Sequence, residues 1–130
     1  MKFIIIFKFF LSIQSIHVSK SDFIFVITSL VGLRTRNQQK ILEIIYKCFK
    51  GKVDQRTLLF LAASLHNTSN FTVFSNGEID EYRCRGLLKI GSEENYKKLT
   101  ILSGKRNYLK IPNQLCSISK KTIKDCIKFF

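Results

Sequence analysis

Apolar side chains recur three and four residues apart in four stretches of this 130-residue chain. That spacing marks one-sided helices and makes a mainly α-helical domain the expected fold. In the first stretch, residues 37–49, Ile41, Leu42, Ile44, Ile45 and Phe49 form a broad apolar face, and Gly51 follows as a stop. Asp54 is placed to cap the second, which carries Leu58, Leu59, Leu61, Ala62 and Leu65. It should end near residues 66–69, where Asn, Thr and Ser compete for backbone hydrogen bonds. Ser92, Glu93 and Glu94 open the third, because a side-chain oxygen and negative charge both favour a helix N-terminus, and it should end before Gly104. The fourth starts at Ser117 or Ser119 and aligns Ile123, Cys126, Ile127 and Phe130. The chain stops on that apolar face, so a shortened C-terminus is expected. Between the second and third helices, residues 75–81 are polar, and Leu87, Leu88 and Ile90 suit a short strand or an extended turn.

One proline and six glycines leave little room for linkers, and the length suits one domain. Lys2 and the apolar run over residues 3–13 have the form of a secretory signal, with Ser15, or Ser19 and Ser21, near a cleavage site. The run is shorter than the roughly 20 residues of a spanning helix, and Lys8 interrupts it. A second apolar stretch, residues 23–33, is either the signal's own apolar core or the first helix of the mature protein. The expected division is a signal over residues 1–21 and a secreted domain over residues 22–130.

Cleavage after Ser21 would remove three lysines and lower the formal charge from +13 to +10. Such a balance suits an anionic surface. The lysines read as scattered, and no nucleic-acid signature is present, so nucleic acid is not an expected partner. Cys48, Cys84, Cys116 and Cys126 allow two disulfides in three connectivities, although Cys126 equally fits the apolar stripe of its helix as a buried thiol. Their spacing with His17 and His66 matches no metal site, and no cofactor is expected.

Two segments carry a family resemblance. Residues 60–71, FLAASLHNTSNF, resemble the pattern F-L-A-x-x-x-H-E-T-G-G-F of the family 19 glycoside hydrolases, the plant and bacterial chitinases with a lysozyme-like helical fold. Residues 82–96, YRCRGLLKIGSEENY, resemble that family's Y-x-G-R-G-x-I-Q-L-T-G-x-x-N-Y. Residues 108–115 and 124–130 add weaker likeness to Y-L-x-N-P-E-L and to a helix ending W-F-W. The resemblance implies a lysozyme-like domain acting on β-1,4-linked N-acetylglucosamine polymers such as chitin.

Hydrolysis of that kind needs two carboxyl groups, one to protonate the glycosidic oxygen and one to activate water, roughly 6.5–9.5 Å apart in an inverting enzyme. The acid position of the pattern holds Asn67, and an amide has no proton to give at a useful pKa. The second carboxylate, about ten residues on, would fall at Ser75 or Asn76. Glu78 is the nearest substitute, and Glu81 is a weaker one. The resemblance further implies substrate contacts at His66, Arg85, Lys89 (where the family has glutamine), Asn95 and Tyr96. Gly91 stands where the family has a hydroxyl that helps hold the water. The same residues have ordinary structural uses: a buried ion pair for Arg85, a tight turn at Gly86 and core packing for Tyr96. Two glycosylation sequons, at Asn67 and Asn70, flank the same helix end. The expectation is therefore a chitinase-like protein with weak or lost activity. The alternative is a basic secreted effector or surface-binding protein that uses the fold as a scaffold.

Overall fold

A computed structural model describes residues 15–75, 77 and 79–130. Among them are five α-helices, two short strands and one 3₁₀ turn, so the fold is mainly helical. The chain forms two compact units, Met1–Ala63 and Ser64–Phe130.

In the first unit, strand β1 (Ile16–His17) pairs antiparallel with β2 (Lys52–Val53), Ile16 opposite Val53. Helix α1 (Lys20–Val31) begins where the Ser19 hydroxyl accepts from the Asp22 N–H, and it ends on left-handed Gly32. Residues 23–31 are thus helical and residues 32–33 follow the helix. Residues 1–14 of the expected signal lie outside the described residues. Its remaining part is tied into this unit, because the Tyr46 hydroxyl donates to the Val18 carbonyl at 2.7 Å. Helix α2 (Arg36–Cys48) starts one residue before the expected Asn37. Thr35 and Gln38 cap it reciprocally, each side chain satisfying the other's backbone N–H. Helix α3 (Gln55–Asn67) starts on Asp54, whose carboxylate accepts from the N–H and hydroxyl of Thr57 at 2.9 Å each. The backbone hydrogen bond from Thr57 holds the Asp54 carboxyl below its usual range. Leu42, Ile45 and Phe60 have no exposed surface, and the Phe49 and Phe60 rings meet at 5.8 Å.

The second unit receives the last turn of α3. Helix α4 (Glu93–Ser103) is capped by Ser92 and stops at left-handed Gly104. Helix α5 (Lys120–Phe129) is capped by the Ser119–Thr122 pair and packs on α4. Leu87, Tyr96, Leu99, Tyr108 and Leu115 are fully buried in this unit. Residues 85–90 resolve the strand-or-turn alternative as a turn. Arg85 and Ile90 exchange both backbone hydrogen bonds at 3.0 Å, closing a loop over Gly86 to Lys89. Gly86, at φ +80°, lies against the 3₁₀ turn Pro112–Cys116. A Cβ there would fall 2.9 Å from the Leu115 side chain and 3.1 Å from its carbonyl oxygen. The close approach and the left-handed backbone both require glycine.

Two expectations are corrected. No disulfide joins any of the four cysteines, all of which lie among the described residues. Cys126 instead packs in the core face of α5, where burial pushes its thiol up to about 12. The lysines are also less scattered than the sequence reads. Lys120, Lys124 and Lys128 lie four residues apart on the exposed face of α5, with Lys121 beside them.

Candidate functional site

The residues singled out by the family resemblance fall in the second unit. They are held by the end of α3, the 85–90 turn and the first turns of α4. His66 is exposed in the last turn of α3, and Asn67 is the half-buried final residue of that helix. Thr68 is fully buried; its hydroxyl donates to the Ser64 carbonyl at 2.6 Å and accepts from the Phe71 N–H at 2.9 Å. The chain then turns through three successive left-handed residues, Ser69, Asn70 and Phe71. Glu78, the candidate base, and Asn76 lie outside the described residues. Glu81 is exposed, and its carbonyl, not its carboxylate, meets Arg85.

Arg85 is only 3% exposed, yet no described carboxylate pairs with it. Its Nε donates to Asn113 Oδ1 at 3.1 Å. Its Nη1 donates to the Glu81 carbonyl and the Tyr96 hydroxyl, both at 2.9 Å. The Tyr96 hydroxyl in turn donates to the Arg83 carbonyl at 2.8 Å, and the guanidinium lies 5.7 Å from the centre of the Tyr96 ring. Burial raises the Tyr96 phenol above its usual range, while the Arg85 guanidinium opposes that shift. This buried cation is thus solvated by carbonyls, an amide and an aromatic face. It ties the turn to α4 and to the 3₁₀ segment, and so takes the structural role in place of orienting a carboxylate among the described residues. Asn95 spends its amide N–H on the Gly91 carbonyl at 2.9 Å.

Lys89 departs most from a surface lysine. It adopts a left-handed backbone at φ +50°, and its Nζ is buried with no hydrogen-bond partner among the described residues. Burial drives the amine below its ordinary range, and the thiols of Cys116 and Cys84 act in the opposite direction. In the sequence Lys89 reads only as a substrate contact implied by the family pattern, set between Leu88 and Ile90. The cysteines, 32 positions apart in the chain, give no local signal.

Cys84 and Gly91 are coupled. Residue 91 follows Ile90, the partner of Arg85, so 84 and 91 share one face of the turn. A Cβ on Gly91 would lie 2.6 Å from Cys84 Sγ. We expect Gly91→Thr to destabilise the fold by about 1–3 kcal/mol through overpacking. In a Cys84→Ala background the same change should cost under about 1 kcal/mol, because the two sites share one space. Urea unfolding of the four proteins measures the coupling; equal costs in both backgrounds would refute it.

The Arg106–Tyr108–Asp125 triad also went unread in the sequence. Asp125 is fully buried on α5. It accepts from Arg106 Nε at 2.6 Å and Nη2 at 3.2 Å, and from the Tyr108 hydroxyl at 2.6 Å. Burial, reinforced by the Asp125 carboxylate, pushes the Tyr108 phenol far above its usual range.

No protein-family model matches the chain, and no solved structure matches it. A curated relative does: spore wall protein 25 of Nosema bombycis strain CQ1 is 35% identical over 80 residues, 61% of this chain. The matched stretch spans 30% of that relative's length.

Proposed function

We propose that this chain is a secreted, chitinase-like module of lysozyme-like fold that holds N-acetylglucosamine polymer at an extracellular or wall surface without cleaving it. The observation that carries the family reading is the backbone at the pattern's glycines. Positions 69, 70, 86 and 92 are glycine in the family patterns, and only Gly86 keeps that residue here. Yet Ser69, Asn70 and Ser92 all retain positive φ, at 49°, 62° and 77°. Such φ values are uncommon outside glycine, and six non-glycine residues have them among the described residues. Half of those six coincide with pattern glycines, which supports the register of both segments. The fifth pattern glycine is Cys84, and its side chain fills the space freed by Gly91.

Lost turnover follows from Asn67 in the acid position. The secreted, surface-associated setting draws on the relative, whose name places that protein in a spore wall. A second reading, a basic scaffold that binds a surface by charge, is favoured by the lysine stripe on α5. It is also favoured by Arg85, Tyr96 and Asn95 all being engaged inside the fold.

Sedimentation with insoluble chitin, beside a hydrolysis assay on chitin oligomers, tests the proposal. Binding without turnover is the expected result. Absence of binding, with retention on an anionic resin only, would replace the first reading with the second. Rapid hydrolysis would overturn both.

A further inference from the structure

We propose that the outer face of the α4–α5 pair is a docking surface for a bilayer rich in anionic lipid. Its lysines meet the headgroups, and Ile101 and Leu102 enter the apolar boundary beneath them. The inference deepens the second reading above, a basic scaffold that binds a surface by charge, and it rests on that reading; it does not depend on glycan binding.

Two contacts fix how the helices lie. Lys98 Nζ on α4 sits 5.5 Å from the centre of the Phe129 ring, near the end of α5. Arg106, just past the end of α4, binds Asp125 of α5. The packed helices therefore run antiparallel, with Phe129 and Asp125 on the side of α5 that faces α4. Lys120, Lys121, Lys124 and Lys128 fall within about a third of the circumference of α5, opposite buried Ile123 and Cys126. Lys121 and Lys128 border the seam between the helices, and Lys98 borders it from α4. These five lysines are exposed, and none is ion-paired among the described residues.

Helix stability does not account for this placement. Lys120 and Lys121 lie in the first turn of α5, where the helix dipole disfavours cations. Lys120, Lys124 and Lys128 repel one another along an i, i+4 row. A face that serves only solubility intersperses both signs of charge. Here the acids lie elsewhere: Asp125 is buried and ion-paired, and Glu93 and Glu94 are confined to the first turn of α4.

The same outer face carries apolar side chains. Ile101 is 73% exposed and Leu102 36%, and both stand one turn beyond Lys98 on α4. A soluble polyanion would meet the lysines alone. An anionic bilayer meets both kinds of side chain, because attraction to the headgroups and burial of apolar surface at the acyl boundary act together.

The test is sedimentation of the full chain with vesicles of phosphatidylcholine alone, and with vesicles of phosphatidylcholine and phosphatidylserine in equal amounts. Binding to the mixed vesicles only is expected, and it should weaken as salt rises. Each lysine near such a surface is worth about fivefold in partition, so Lys124→Gln with Lys128→Gln should weaken binding about 10–30-fold. Lys52→Gln with Lys110→Gln removes the same charge outside the two helices, and should weaken it by about threefold or less. The chain has no tryptophan, so Ile101→Trp supplies a single reporter. Its emission should shift to the blue on mixed vesicles and stay unshifted with soluble polyphosphate. Equal losses in the two double variants would overturn the α4–α5 face as the site. Retention on an anionic resin without vesicle binding, or vesicle binding without the blue shift, would overturn the bilayer as occupant and leave the charge-binding reading standing. Retention on neither the resin nor the mixed vesicles would overturn both. Circular dichroism of each variant separates these outcomes from misfolding.

Discussion

Replacing Asp125 by alanine should unfold this protein more readily than any other single change to a polar side chain of the second unit. The carboxylate has no exposed surface, and it receives two hydrogen bonds from Arg106 and one from Tyr108. Its removal would leave the Arg106 guanidinium without its counter-ion and the Tyr108 hydroxyl, in a fully buried residue, without its acceptor. Breaking a fully buried pair from one side costs about 3–5 kcal/mol; the Arg106 side chain is 24% exposed and can take up water, so the low end, about 3 kcal/mol, is expected. For a chain of this size that corresponds to a fall of about 12 °C in Tm. Tyr108→Phe removes one hydrogen bond and strands no charge, so it should cost only about 1–2 kcal/mol. Asp125→Asn keeps the shape but turns an amide toward Arg106 or Tyr108, and should fall between the two. Thermal unfolding of the three variants checks the order. A loss under about 1 kcal/mol in Asp125→Ala would mean that the triad contributes nothing beyond its own desolvation.

The triad also shows where reading the sequence stops. Helix ends were legible because their chemistry is local. Asp54, Ser92 and Ser119 each cap within three residues of themselves, and Gly104 takes the left-handed backbone that ends α4. Asp125, by contrast, sits 19 residues from Arg106, and on periodicity alone it is one more charged position on a basic helix. Helix α1 was ambiguous for a different reason: an apolar run carries the same composition whether it is a signal core or a packed helix. The lysine stripe on α5 was visible in the spacing of Lys120, Lys124 and Lys128, but the apolar stripe of the same segment gave the stronger signal. Within the candidate site, Arg85 and Tyr96 were legible as important residues. Their joint use by backbone carbonyls was not, since it depends on how the 85–90 turn closes. Lys89 was misread as accessible because nothing in its neighbours reveals a left-handed residue whose amine turns inward.

That inward turn decides what a reconstructed acid would achieve. Asn67→Glu alone should leave hydrolysis of chitin oligomers within about tenfold of background, even though general acid–base catalysis is typically worth about 10²–10⁴-fold. A proton donor acts only on a bond that is held in place, and misplacement of the substrate can by itself cost about 10²-fold. Two positioning groups implied by the family pattern are missing independently of Asn67. Lys89 replaces the sugar-binding glutamine and buries its polar end. Gly91 replaces the water-holding hydroxyl, and Cys84 occupies the space such a side chain would need. On the proposed chitinase-like reading, a carboxylic acid at position 67 therefore supplies one of several required groups. Initial rates on a soluble oligomer, for the unmodified chain and for Asn67→Glu, decide the matter. A rise of about 10²-fold or more in the variant would show that the cleft is otherwise competent and that Lys89 and Gly91 have been given too large a share of the loss. Turnover by the unmodified chain at rates ordinary for a glycosidase would show that Asn67 does not stand in the acid position. A variant that stays at background while still sedimenting with chitin would fit a surface that binds the polymer and lacks the geometry to cleave it.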